Sequence, residues 1–281
     1  MSFQIGPYVD GILAGKKFSC SYRRVPTQAS VAYWWSDLSM SPGFPPPNYY
    51  AATPLASALL SGGDGIPTGF TTGSSKWLTE ASLTTATANL VGQYTLCDYL
   101  MYYPFVDLDD TSPQSLTNVN SLQRYTSGVG IMPMMVCQGA TVGNGSFTFT
   151  YVDQNNDTIT SPTNYYATTT GNIGAVLTSE PATTTTAGPW LSLGPTTTGI
   201  KRIVSLTNIV SNGGGLGCIV LVKPLLDIPL REANTESELT MVSMRSGPIR
   251  VYDDAYLNFI CNTAGTYAAG LLTGRLDFTW S

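Results

Sequence analysis

Histidine is absent from the 281 residues of this chain. That absence excludes Ser-His-Asp triads, Cys-His dyads and most zinc sites, because each needs an imidazole to carry a proton or lend a lone pair near neutral pH. Charge is scarce too: Asp, Glu, Lys and Arg make up 11% of the residues, against about a quarter in ordinary soluble domains. Solubility must rest on hydroxyls and amides, which suits β-structure or a subunit packed among other subunits. Basic runs are missing as well. The nearest approaches are the pairs Lys16/Lys17, Arg23/Arg24 and Lys201/Arg202, and the net charge is −5. Such pairs are too small to displace the counterions of a nucleic-acid backbone, so no nucleic-acid partner is expected.

The five cysteines, Cys20, Cys97, Cys137, Cys218 and Cys261, form no CxxC pair. Widely spaced, odd in number and mostly flanked by apolar residues, they read as small buried hydrophobes of a chain made in a reducing cytosol. No apolar run approaches the ~20 residues that span a bilayer, and MSFQIGPYVDG lacks the basic and apolar regions of a signal peptide. Neither membrane insertion nor signal-peptide secretion is expected. The sequons at Asn144 and Asn156 then read as chance matches in hairpin turns. A glycosidase would need two carboxylates across a cleft, and Asp98, Asp107, Glu232 and Asp253 have no distinguishing context. The knot Asp107, Asp109, Asp110 lacks the glycine turn and terminal glutamate of an EF-hand, and reads as a solvated turn. The expectation is a chain that is not an enzyme, with no catalytic residue, metal or cofactor.

What the chain does contain is aromatic, proline-rich and alternating. Residues 267–280 (YAAGLLTGRLDFTW) put Leu272, Gly274, Leu276, Phe278 and Trp280 on one face of a strand. That strand is expected to be buried and to pair with partners from earlier in the chain. Near the start, Trp34 and Trp35 precede SPGFPPPNYY (residues 41–50), where four prolines forbid a helix and favour extended geometry. Residues 1–75 therefore read as an extended arm, with Trp34, Trp35, Phe44, Tyr49 and Tyr50 as candidate partner contacts; the alternative is that these aromatics cover the chain's own sandwich. The arm aromatics could also stack on sugars, as in a carbohydrate-binding module, although no cluster of sugar-reading polar residues lies beside them.

Residues 76–281 read as the sandwich domain. Residues 77–89 suggest a strand or two, or a short helix. Residues 90–105 are nearly all apolar or aromatic, as a central strand buried on both faces would be. Pro133 marks residues 125–137 as an edge or bulged strand. SFTFTYV (146–152) turns Phe147, Phe149 and Tyr151 inward and leads through DQNND into a hairpin. Residues 163–189, including the threonines at 183–186, read as loops with one short strand. Residues 199–210 and 216–222 read as strands joined as a hairpin by SNGGG (211–215), the second ending at Pro224. Residues 231–245 read as a loop with at most a turn of helix, and 249–252 and 256–261 as strands. This pattern predicts an all-β fold, an antiparallel β-sandwich of jelly-roll or immunoglobulin-like type with an extended Pro/aromatic N-terminal arm.

Several stretches resemble virion proteins of tailed bacteriophages: RYTSGVGIMPMMV (124–136), SFTFTYVDQ (146–154), GPWLSL with TGIKRIVSLT (within 188–207), GGLGCIVLVKPL (214–225) and IRVYDDAYLNFI (249–260). Residues 34–55 and 96–112 are similar to the same group. The resemblance implies a non-enzymatic structural role, a capsid decoration or cement protein on the capsid surface of the virion, made in the host cytoplasm. It also implies the major capsid protein and identical copies as partners, with a trimer favoured. The alternative is a tail or receptor-binding module recognising a host surface glycan.

Overall fold

The computed structural model describes residues 5–26, 32–69, 75–166, 172–178, 188–244, 249–266 and 269–280. The threonines at 183–186 and part of the hydroxyl-rich turn after Pro67 lie outside the described residues. A helix, α1 (Ile5–Leu13), leads into β1 (Lys17–Arg24), the short strands β2 (Trp35–Asp37), β3 (Gly43–Phe44) and β4 (Ala58–Leu59), and the long strands β5 (Lys76–Thr85) and β6 (Gly92–Asp107). Then come β7 (Gln114–Ser115), β8 (Met132–Gly139), β9 (Gly145–Asp153), β10 (Thr158–Thr160), β11 (Asn164–Tyr166) and β12 (Ile200–Val210). The chain continues through β13 (Leu216–Leu230), β14 (Ser237–Thr240), β15 (Ile249–Val251) and β16 (Tyr256–Thr263) to β17 (Leu272–Trp280).

These strands form three antiparallel sheets, and the all-β sandwich expected from the sequence is what they build. The central sheet has the order β2-β16-β6-β13-β8, with β4 added to β6; a second runs β14-β5-β17-β1-β3, with β15 on β5; a third runs β10-β9-β12-β7, with β11 on β9. The strands β6 and β13 have 16 and 15 residues, roughly 50 Å of chain at ~3.3 Å per residue. One face of so long a sheet can serve two cores end to end. At one end Tyr94, Leu96, Ile228 and Phe259 pack on Leu78, Leu83, Leu276 and Phe278 of the second sheet. At the other, Met101, Tyr103, Ile219 and Leu221 pack on Phe147, Phe149, Ile203 and Leu206 of the third. Where the two cores meet, Met101 faces Leu221 but Tyr99 faces Val222. This bulge leaves Leu100 as the extra residue and sends both Leu100 and Met101 into the second core. Strand alternation turns Cys97, Tyr99, Val220, Val222 and Tyr256 to the opposite face, where Met40, Tyr50 and Leu60 cover them.

The closing strand follows its predicted alternation at Leu272, Leu276 and Phe278, but Trp280 is only half-buried, and Asp277 and Thr279 on the other face are buried as well. Flanked by β1 and β5, β17 buries Leu272, Leu276 and Phe278. Phe147, Phe149 and Tyr151 point inward as expected; of residues 77–89, those up to Thr85 lie in β5 and Ala88–Leu90 form a 3-10 turn; and β8, which starts only at Met132, is an edge strand carrying Pro133. All five cysteines are free and buried.

Four expectations need correction. SNGGG does not close a hairpin: β12 lies in the third sheet and β13 in the central one, so the turn carries the chain between sheets. Gly213, Gly214 and Gly215 all have positive φ (79°, 144° and 99°), which a side chain would oppose. Nor does β13 stop at Pro224; it continues through Pro229 to Leu230, with register shifts between Gly217 and Ile219, Leu221 and Val222, and Pro224 and Leu226 that absorb the irregularity. Residues 237–240 are the strand β14 on β5, not loop. Finally, residues 1–75 are not a separate arm. In KFSCSYRR, Cys20, Tyr22 and Arg24 alternate inward, and β1 fills the space between β17 and β3. No domain boundary falls at residue 75, because the second and central sheets both draw strands from either side of it.

Candidate contact surface

The prolines at 42, 45, 46 and 47 cannot donate ladder hydrogen bonds, so residues 38–50 lie across the back of the central sheet instead of joining it. Polar anchors hold them there. Asp37, 2% exposed, accepts hydrogen bonds from Ser39 N (2.9 Å), Ser39 Oγ (2.6 Å), Tyr50 Oη (2.5 Å) and, from β6, Tyr99 Oη (2.7 Å). Burial raises the Asp37 carboxyl above the usual carboxylate range, and the donors from Ser39, Tyr50 and Tyr99 partly offset this. Arg24, fully buried, donates through Nη1 to the carbonyls of Ser41 (2.7 Å) and Pro45. Gln138 Nε2 donates to the carbonyls of Tyr49 and Tyr50 (3.3 and 3.2 Å). The Asp37 carboxyl group, holding Ser39 and Tyr50 on either side of the prolines, and the Arg24 guanidinium, holding the carbonyls of Ser41 and Pro45 between them, thus replace the backbone ladder that proline denies.

This arrangement divides the five aromatic candidates. Trp34 and Tyr50 are buried, at 7% and 0% exposure, Trp34 in the core shared with the third sheet and Tyr50 against the back face. Both are corrected from partner contacts to parts of the chain's own core, since covering a sheet face removes more apolar surface from water than solvent exposure would. Trp35 is half-buried against the same back face. Phe44 and Tyr49 face outward at 44% and 56% exposure and remain available for contact. Sequence reading passed over other exposed apolar residues: Val9, Ile12 and Leu13 on α1, and Val142, Ile209 and Val210 around the β8–β9 and β12–β13 turns. Two adjacent apolar residues, Ile209 and Val210, placed just before a polar glycine turn break strand alternation and were the available signal.

No protein-family model matches the chain, and no curated protein does. Among solved structures, the infectious bursal disease virus VP2 subviral particle is 9% identical, with a TM-score of 0.15, over 94% of this chain and 80% of that one. T=1 particles derived from infectious bursal virus give 10% identity and a TM-score of 0.16 over 94% and 77%. The Gt strain of infectious bursal disease virus gives 7% and 0.15 over 94% and 81%. At such scores these likenesses carry no weight for fold or role.

The four carboxylates considered for catalysis have different surroundings. Asp98 is buried between the two cores and forms a two-point pair with Arg124, Nε to Oδ2 at 3.0 Å and Nη2 to Oδ1 at 2.8 Å. Arg124 also donates to the carbonyls of Leu60 and Tyr99, tying the covering segment to β6. Asp253 pairs with the buried Lys76 at 2.7 Å. Asp107 accepts the amides of Asp109 and Asp110, and Asp110 that of Ser112, so this knot caps its own turn. Glu232 borders a shallow groove with Arg231 and Glu236. Among the described residues, no three His, Cys, Asp or Glu side chains form a group that could hold a metal. Asp98, Asp107 and Asp253 are thus each engaged, by Arg124, by the amides of the knot's own turn and by Lys76 respectively.

Proposed function

We propose that this chain is a structural protein of a bacteriophage virion, a decoration or cement subunit that seats on the assembled head and stabilises it. The observation that carries the reading is where the resembling stretches fall. Residues 96–112, 124–136, 214–225 and 249–260 supply most of β6, β8 and β13 and part of β16, while 146–154 and 188–207 supply β9 and much of β12. The resemblance to tailed-phage virion proteins therefore runs through the scaffold of the fold, not through a surface loop that unrelated proteins could share. A low-charge surface with Phe44 and Tyr49 held outward on a stitched-down segment suits a subunit that packs against identical copies or the major capsid protein. Rigid aromatics lose little conformational freedom on docking.

Location tests this reading. Electron microscopy of virions, and of empty heads with and without the purified protein, should show added density on the head exterior, and decorated heads should withstand heat or osmotic shock better than bare ones. Density confined to the tail, or heads whose stability does not change, would overturn it.

A further inference from the structure

The basic pair Lys201/Arg202, too small for nucleic acid, sits in an unusual backbone setting. Successive strand residues normally point to opposite faces. Here Ile200 faces Asp153 and Arg202 faces Val152 on β9, so Lys201 is the extra residue of a β-bulge. The bulge brings both cations to one open, polar concavity of about 440 Å³, within the volume range of ligand pockets. Its floor is a cross-strand row in which Val152 is paired with Arg202 on one side and Thr158 on the other. The loop carrying Asn120, Ser121 and Thr126 forms the wall. This wall is fixed: Asn120 donates from Nδ2 to the Ser57 carbonyl at 2.6 Å and from its backbone to Ser57 Oγ at 2.9 Å.

Among the described residues, no carboxylate lines the concavity, although the chain is acidic overall. Nearby Asp153 is buried and accepts the amides of Asn155 and Asp157. Lys201 Nζ donates one hydrogen to Asn156 Oδ1 at 2.7 Å, which aims the ammonium and leaves two hydrogens without a partner among the described residues. Neither cation has an ion-pair partner among the described residues. Two cations call for an anion, and the surrounding amides and hydroxyls, which both donate and accept, match a ring of sugar hydroxyls. Among the described residues, no aromatic side chain lines the site to stack on a planar base. We infer that this concavity binds an acidic saccharide, with Lys201 and Arg202 holding the sugar carboxylate and Thr158, Thr126 and Ser121 reading its hydroxyls. The site is separate from Phe44 and Tyr49, and does not depend on where in a virion the chain resides.

The test is saturation-transfer NMR and calorimetry of the full chain with glucuronate-containing and sialylated oligosaccharides, each against its neutral counterpart and against inorganic phosphate. The acidic sugars should bind at least about tenfold more tightly than the neutral ones, the scale of a charge-assisted hydrogen-bond pair. Binding should weaken with added salt and disappear in K201Q/R202Q, while the melting temperature of that variant stays unchanged. Equal binding of neutral sugars, full binding by K201Q/R202Q, or no binding of any sugar would overturn the inference. Phosphate competing as well as the acidic sugar would reduce the site to a bare anion pocket and overturn the saccharide assignment.

Discussion

The two faces of the central sheet are closed by different means. On the front, the second and third sheets bring regular strands whose alternation supplies Leu276, Phe278, Phe147 and Phe149, and hydrophobic burial closes this face. On the back, a proline-rich segment with almost no strand pairing lies on an equally apolar surface and is fastened by Asp37, Arg24 and hydroxyl groups. A regular element satisfies its own backbone and needs only an apolar face. An irregular cover must satisfy its backbone through side chains, and so it carries buried polar groups into the core.

The most severe way to break this contrast is to delete residues 1–60, which removes the back cover together with β1 from between β17 and β3. The truncated chain should fail to give soluble, cooperatively melting protein; a well-folded product would show that the sandwich stands without either. On the front face alone, Phe278→Ala should cost ~3 to 5 kcal/mol in denaturant unfolding, since the side chain is fully buried and a cavity would remain. A loss below about 1 kcal/mol would place β17 at the periphery.

Asp37→Ala probes the back. It leaves the hydroxyls of Tyr50, Tyr99 and Ser39 without their shared acceptor, and each buried unsatisfied donor costs ~1 to 3 kcal/mol. Relaxation of a cover is easier than relaxation of a sheet, so a total of about 2 to 3 kcal/mol is expected, less than for Phe278→Ala. Amide exchange should accelerate first at residues 38–50 while β6 and β13 stay protected. Uniform acceleration through the central sheet would show that the cover and the sheet unfold as one unit.

The same contrast explains how much of the molecule was legible in its sequence. Regular strands announce themselves: the alternation of SFTFTYV and of LTGRLDFTW, and the continuous apolar run of β6, gave the all-β class, the inward residues and the position of the closing strand. The cover was misread because proline and exposed aromatics look alike whether a segment reaches outward or folds back. The deciding residues, Asp37 and Arg24, carry no periodic signal, and their role depends on partners such as Tyr99, 62 positions away from Asp37. β1 was within reach, since Cys20, Tyr22 and Arg24 alternate, but a buried arginine at the third inward position masked the pattern. The Lys201 bulge is a register event between two strands, and one strand's sequence cannot display it.

Acidification gives a smaller effect and sharpens the account of the polar groups on both faces. Burial pushes Asp98 up to about 6 against the pull of Arg124, and burial likewise holds Asp37 above the usual range. With folded pKa values above the unfolded ones, the native chain takes up these protons first. Their contribution is therefore fully present at low pH and is lost as pH rises from about 4 through about 6. The melting temperature should hold steady or rise slightly from pH 7 to pH 5. A steady fall over that window would mean that the Arg124 pair outweighs burial and keeps Asp98 ionised.

The smallest effect on stability is expected where the cover faces outward. Phe44 and Tyr49 lie on the stitched-down segment but leave about half of their surface in solvent, so Phe44→Ser with Tyr49→Ser should change unfolding free energy by no more than about 0.5 kcal/mol. If the cover presents these rings to a neighbour, the double variant should melt like the parent yet associate less, read by sedimentation velocity for self-assembly and by co-sedimentation with phage heads for shell binding. A large loss of stability would mean that the rings support the cover itself. Unchanged association would move the contact to the exposed apolar residues of α1 or of the Val142, Ile209 and Val210 turns, which Leu13→Ser and Val210→Ser would then separate.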